Sequence, residues 1–329
     1  MMSTIRAPDH RYTVQTDTEQ GRAIAARLAR AGIEVEAVEA DHFRDGRPCR
    51  GAPLPTGAIG TRTLLERGNI ELPSGLTLHA SALRCYDKLA MLDFVNRETG
   101  IAIPETWTDQ ASIARYPVFH KPAREGGGGP RGIAAHPSRL PSPQHDLLYQ
   151  ELIDHPHTFG VAFVAREGCM LATVQHREIL STPLTGGSAV ALETFRDDRL
   201  ERVSAELVEK LRYSGWGLME FKFCTRRQDY VFMELNAKFW ASIEFSFRNE
   251  PALSKHLFGI ETTERRCRRA VFVDRYLALP PAGWRRGFGM LSGSTFIREK
   301  PIRHLIVAHL WSRPNSAFRS LFRRSAPSG

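Results

Sequence analysis

The segment Gly217–Asn236, GLMEFKFCTRRQDYVFMELN, constrains this chain more than any other. Two apolar runs, 217–223 and 230–236, flank the polar TRRQD, the pattern of an antiparallel hairpin. A hairpin centred near Arg227 sets Glu220 opposite Glu234. Period-two alternation then puts Glu220, Lys222, Phe232, Glu234 and Asn236 on one face, and Met219, Phe221, Phe223, Val231, Met233 and Leu235 on the other. Two facing carboxylates repel unless a cation joins them. The all-oxygen set Glu220, Glu234 and Asn236 suits Mg²⁺, with Mn²⁺ as a substitute. An exposed sheet face on which Lys222 pairs both acids satisfies the same pattern.

A second feature is Lys121 followed by EGGGGPRGI, which contains Gly126, Gly127, Gly128 and Gly129. Glycines let backbone N–H groups turn toward an anion, and a lysine adds a point charge suited to phosphate. The spacing is neither GxxxxGK[ST] nor GxGxxG opening a helix, so no P-loop or dinucleotide fold is indicated. Lys88 lies in a stretch, 83–96, that reads as a helix, where pairing with Asp87 or Asp93 would also account for it. The segment HREILSTPLTGGSAVALET, with Arg177, Glu178 and Gly186–Gly187, reads either as a loop over an anion or as a hairpin connection.

Around these features, RYTVQ (11–15), a helix capped by Asp17 or Thr18 and stopped at Gly32, and IEVEAVEA form a strand-helix-strand unit. Residues 41–82 are rich in turn signals, PLPTGAIG among them. GIAIPET reads as a short edge strand, YPVFHKP as a strand at 116–121, and 147–153, 159–165 and 169–175 as three more. A helix at 198–212 buries Leu200, Val203, Leu207 and Leu211, and Pro251 to Gly259 bounds a shorter one. His155 and His157 flank Pro156 as in a turn, while Trp216, Phe239 and Trp240 read as core or as a substrate wall.

In order, YDKLAMLDF, GIAIPET, YPVFHKPAREGGGGPRG, YQELI, HREI with TPLTGGSAVALET, GWGLMEFKF and FMELNAKFWAS resemble the ATP-grasp superfamily, in particular its carbamoyl-phosphate-synthetase-like and amino-acid ligase branches. The likeness runs from Tyr86 to Ser246, about half the chain. It implies an α+β fold in which two antiparallel-sheet subdomains clamp ATP: a short α/β unit over 1–82, an ATP-grasp domain over 83–260 with a small subdomain at about 118–180, and a basic region over 261–329. It further implies that Lys88 and Lys121 meet the nucleotide phosphates under the lid Gly126–Gly129 with Gly132. Backbone groups of Gln150, Glu151, Leu152 and Ile153 would meet the adenine edge, Glu220, Glu234 and Asn236 the metal, and Arg177 and Lys238 the transferred phosphoryl group. The implied activity is ATP-dependent carboxylate-amine ligation through an acyl phosphate, with carboxylation or phosphotransfer as alternatives. Lys238 stands where the family often has Arg, and DHPHTFG lacks the acidic residue that many members place on the ribose.

The net charge of +9 is unevenly spread. From Arg265 onward fourteen Lys and Arg face Asp274 and Glu299, a net of +12 that leaves −3 for the rest. Residues 302–324 mix apolar and Arg positions, suiting either an anionic membrane or acidic carrier, or a packed terminal helix with its arginines outward. No nucleic-acid reader module accompanies the charge. The scattered cysteines, the lack of a long apolar run and the absence of a signal-peptide pattern lead us to expect a cytoplasmic chain. Small-molecule or peptide carboxylates and amines are the expected partners, with a homodimer as the symmetry expectation.

Overall fold

The computed structural model describes residues 11–124, 130–142, 146–153, 155–182, 187–262 and 264–297. The basic segment 302–324 and Gly126–Gly129 therefore lie outside the described residues.

β1 (Arg11–Gln15), α1 (Glu19–Arg30), β2 (Glu34–Val38), α2 (Ala40–Arg44), β3 (Ala52–Leu54) and α3 (Ala58–Leu65) build a parallel sheet of order β2-β1-β3. Thr18 caps α1 by accepting from the Gly21 N–H at 3.0 Å, and Gly32, at φ 78°, ends it. PLPTGAIG, which reads as a loop, instead carries the end of β3 and, with Gly57 as N-cap, the start of α3. β4 (Ile70–Glu71) and β5 (Thr77–Leu78) form a separate pair.

The helix expected over 83–96 begins later. A 3-10 turn spans Ala80–Tyr86, Asp87 leaves the helical conformation, and α4 runs Lys88–Glu98 behind it. Asp87 accepts from the Ala90 N–H at 3.0 Å, which is what an N-cap carboxylate does best. In GIAIPET, Ala102 makes only an isolated bridge to Val231, and Pro104 has no N–H to continue a ladder, so β6 starts at Thr106 (Thr106–Trp107).

β6, β7 (Val118–Pro122), β8 (Gly132–Ala134) and β9 (Leu147–Glu151) form a small antiparallel sheet of order β6-β9-β7-β8. The larger sheet holds β10 (Phe159–Arg166), β11 (Cys169–Thr182), β12 (Ser188–Thr194), β13 (Gly215–Cys224), β14 (Asp229–Asn236), β15 (Arg269–Phe272) and β16 (Thr295–Ile297) in the order β14-β13-β10-β11-β12-β15-β16. The strands of the small sheet lie within 106–151, while β10 and β11, inside the expected small subdomain at 118–180, pair with β13 and with each other in the larger sheet. β15 and β16, which follow residue 260, belong to the same sheet.

α5 (Asp198–Lys210), capped by Asp197, covers one face of the larger sheet. Beneath it Phe159, Phe221, Tyr230 and Phe232 interlock edge-on. On the opposite face Trp216 stacks on Phe239, Phe239 faces Phe258, and Phe258 meets Tyr12. Trp216, Phe239 and Trp240 are thus core. Through these rings α6 (Ile243–Asn249) and α7 (Pro251–Phe258) tie the larger sheet to β1, while α8 (Val273–Leu277) and α9 (Pro281–Leu291) close its far edge. The rest of that face, toward Glu220, is left as the floor of a cleft below the small sheet.

Candidate active site

Glu220 on β13 pairs with Glu234 on β14, as hairpin parity predicts. The alternation does not continue unbroken: between Glu220 and Phe221 the register shifts, leaving Met233 as an extra residue on β14. Phe232 consequently turns to the aromatic core opposite Phe221, and Val231 comes to the cleft face opposite Lys222. There Val231 packs with Ile153 and Cys224, flanked by Ala102 and Met233, forming an apolar wall where the two sheets meet.

The acid pair is ringed by cations. Lys121 Nζ is 3.6 Å from Glu234 and 3.4 Å from the Met233 carbonyl, and Lys88 Nζ is 4.0 Å from Glu234. Lys88 is the first residue of α4; its N–H donates to the Ala123 carbonyl at 2.9 Å, and Asp87 bridges to Arg124. The start of α4 is therefore sewn to the chain just beyond β7, which brings the two lysines together. Lys238 Nζ donates to Asn236 Oδ1 at 3.2 Å, and Asn236 Nδ2 reaches Glu234 at 3.1 Å and Glu220 at 3.4 Å.

Burial, then the charges of Glu234 and Glu178, push Glu220 up to about 8. Burial pulls Lys121 down, opposed by Glu234 and aided by Lys88. Carboxylates forced together in this way, with an amide that presents its oxygen after a flip, are the donor set of a small divalent cation. Among the described residues no three His, Cys, Asp or Glu converge on one point, so any metal here would rest on two acids and the amide.

The remaining expected residues divide. Gln150 and Glu151 lie within β9, and the Glu151 N–H donates to the Glu105 carbonyl at 2.9 Å, so it does not face the cleft as an open donor. The Glu151 side chain is instead a latch between sheets: Arg227, from the β13–β14 turn, grips it at 2.5 and 2.7 Å, and Arg115, in the loop before β7, binds it as well. Ile153 supplies the apolar wall, with half-buried Leu152 beside it.

Arg177 lies on the other face of the larger sheet. It pairs with Phe159, which also pairs with Phe221, so it shares their face and points away from Glu220. There it donates to Glu193 at 2.6 and 3.0 Å. The cleft face of β11 carries His176 and Glu178 instead. Burial raises Glu178 to about 7, with Lys222 and Arg275 opposing and Glu234 adding to the rise. Burial holds His176 down at about 4. The signal that would have found them was the register of β11 through β10, in which Gly160 pairs with both Glu220 and His176. His155 and His157 form the expected turn, the His157 N–H donating to His155 Nδ1 at 3.1 Å.

No protein-family model and no curated protein matches the sequence. Solved structures do match. A protein of Archaeoglobus fulgidus described as of the ATP-grasp superfamily aligns at TM-score 0.55 and 14% identity over 79% of this chain and 90% of its own. The biotin carboxylase domain of the Hydrogenobacter thermophilus 2-oxoglutarate carboxylase, in complex with MgADP and bicarbonate, aligns at 0.57 and 13% over 78% and 71%. An L-amino acid ligase from Bacillus licheniformis aligns at 0.52 and 12% over 72% and 68%. The chain spans 27% of the length of a Rhizobium etli pyruvate carboxylase, at TM-score 0.55 and 11% identity over 73% of this chain. The fold is the two-lobed α+β ATP-grasp fold. Among the described residues no helix is long and apolar enough to cross a membrane.

Proposed function

We propose that the chain is an ATP-dependent carboxylate-amine ligase. The observation that carries this reading is the facing pair Glu220 and Glu234 with Asn236, ringed by Lys88, Lys121 and Lys238, beside the apolar wall of Ile153, Val231 and Met233. The wall suits a flat adenine, and the lysines suit phosphate oxygens. Glu220, Glu234 and Asn236 would hold Mg²⁺, which supplies charge neutralisation between a triphosphate and a carboxylate. Lys121 and Lys88 would then steady the polyphosphate, and Lys238 would meet charge on the transferred phosphoryl group.

Attack of the substrate carboxylate on the γ phosphorus forms an acyl phosphate and releases ADP. The free amine nitrogen then bonds to the acyl carbon as that carbon's bond to the phosphate oxygen breaks, and the nitrogen gives up a proton to a base, leaving amide and phosphate. The matched structures include ligases and carboxylases alike. An acid rather than an arginine on the cleft face of β11 favours a cationic co-substrate, hence the amine.

The test is incubation with Mg-ATP, pooled amino acids, short peptides and small carboxylates, with hydroxylamine as a trap. Hydroxamate equal to the ADP released supports carboxylate activation. ADP release with no hydroxamate under any carboxylate contradicts it, and dependence on bicarbonate alone selects carboxylation.

A further inference from the structure

Glu178 and His176 are used by neither the metal nor the phosphate assignments. They sit two apart on β11, so both belong to the cleft face, and Gly160 separates His176 from Glu220. His176 is only 2% exposed, and its Nδ1 has no hydrogen-bond partner among the described residues. A buried imidazole nitrogen left in that state loses the bond it would make in water, so the ring's place is set by something other than its own hydrogen bonding.

The place for the ring is built into the sheet. A Cβ at Gly160 would stand 2.3 Å from Nε2 and 2.5 Å from Cε1, so any other residue there would displace the imidazole. The ring lies across β10 toward the acid pair, with the Phe245 ring on another side at 6.0 Å between centroids. Glu178 stands outside the metal set, since no third acid joins Glu220 and Glu234 at one point among the described residues.

The Glu178 carboxylate, which also feels Lys222 and Arg275, and the neutral imidazole beside it both accept hydrogen bonds. A primary ammonium brings three donors and a positive charge. We propose that Glu178 and His176 form the subsite for the ammonium group of the amine co-substrate, which gives a proton to the Glu178 carboxylate before its nitrogen attacks, with Gly160 as the clearance that seats the imidazole. This inference rests on the ligase reading and adds to it the class of acceptor, a primary amine such as the α-amino group of an amino acid or peptide.

The experiment sets hydroxylamine, a neutral nucleophile that needs no ammonium subsite, against a pool of amino acids in one reaction with Mg-ATP, and compares hydroxamate with amide. Glu178→Gln is expected to lower the amide-to-hydroxamate ratio about tenfold or more while KM for ATP stays within about twofold, because a charge-assisted contact is lost only on the amine side. Gly160→Ala, which leaves both side chains in the chain but unseats the ring, is expected to shift the ratio the same way. An unchanged ratio in both variants overturns the subsite. So does a parallel fall of hydroxamate and amide, or wild-type protein that makes hydroxamate but no amide from any primary amine. Wild-type protein that makes no hydroxamate overturns the ligase reading itself, and the subsite with it.

Discussion

Glu234 faces Glu220 and draws Lys121 to 3.6 Å. Glu234→Gln is expected to cut turnover about 100-fold or more, the scale on which preorganised electrostatic groups act, while moving the melting temperature by less than about 4 °C. Full turnover at saturating Mg²⁺ would contradict the metal assignment. His176 gives a second prediction. Its folded value of about 4 lies below the ordinary 6.5, so the unfolded chain takes the proton first as pH falls. Its contribution is complete above about 6.5 and is lost between there and about 4, on the order of 3 kcal/mol. Urea titrations across this range should show the loss in wild type and a flatter profile in His176→Phe; parallel profiles would contradict it. The Glu220–Glu234 pairing was legible because a polar turn fixed the centre of the hairpin. The faces of Phe232 and Arg177 were not, because a one-residue bulge at Met233 and the course of β11 through β10 leave no compositional mark.

Most elements with strong periodicity or capping residues were readable, and those that start at a change of backbone conformation were misplaced. The apolar pattern of 83–96 is continuous, yet Asp87 is extended at φ −108°, ψ 105°, and its carboxylate caps α4 one residue before Lys88. Cap and site are thereby one device. Asp87→Ala is expected to cost about 1 kcal/mol in urea unfolding and to raise KM for ATP, because Lys88 is the first residue of the helix it starts. Loss of stability with an unchanged KM would separate the cap from the site. α3 was missed because Gly57 gives no side-chain cap bond to announce it.

At the scale of the molecule, the sheets meet at Glu151, which Arg227 holds from one side and Arg115 from the other. The small sheet, 106–151, is expected to close over Mg-ATP as a unit. Amide hydrogen exchange should slow across β6–β9 on adding nucleotide while β10 and β11 outside the cleft change little; protection spread evenly over 118–180 would instead restore the limits read from sequence. Which sheet a strand joins was the least legible feature, because β10 and β11 follow β9 with no break in pattern.

The central claim, that ATP is spent on activating a carboxylate, is tested most directly by following oxygen. Carboxylates labelled with ¹⁸O are incubated with Mg-ATP, amines and the protein, and the released phosphate is weighed by mass spectrometry. Attack of the carboxylate on the γ phosphorus predicts one ¹⁸O in each phosphate formed alongside amide. Unlabelled phosphate accompanying amide formation would contradict the account.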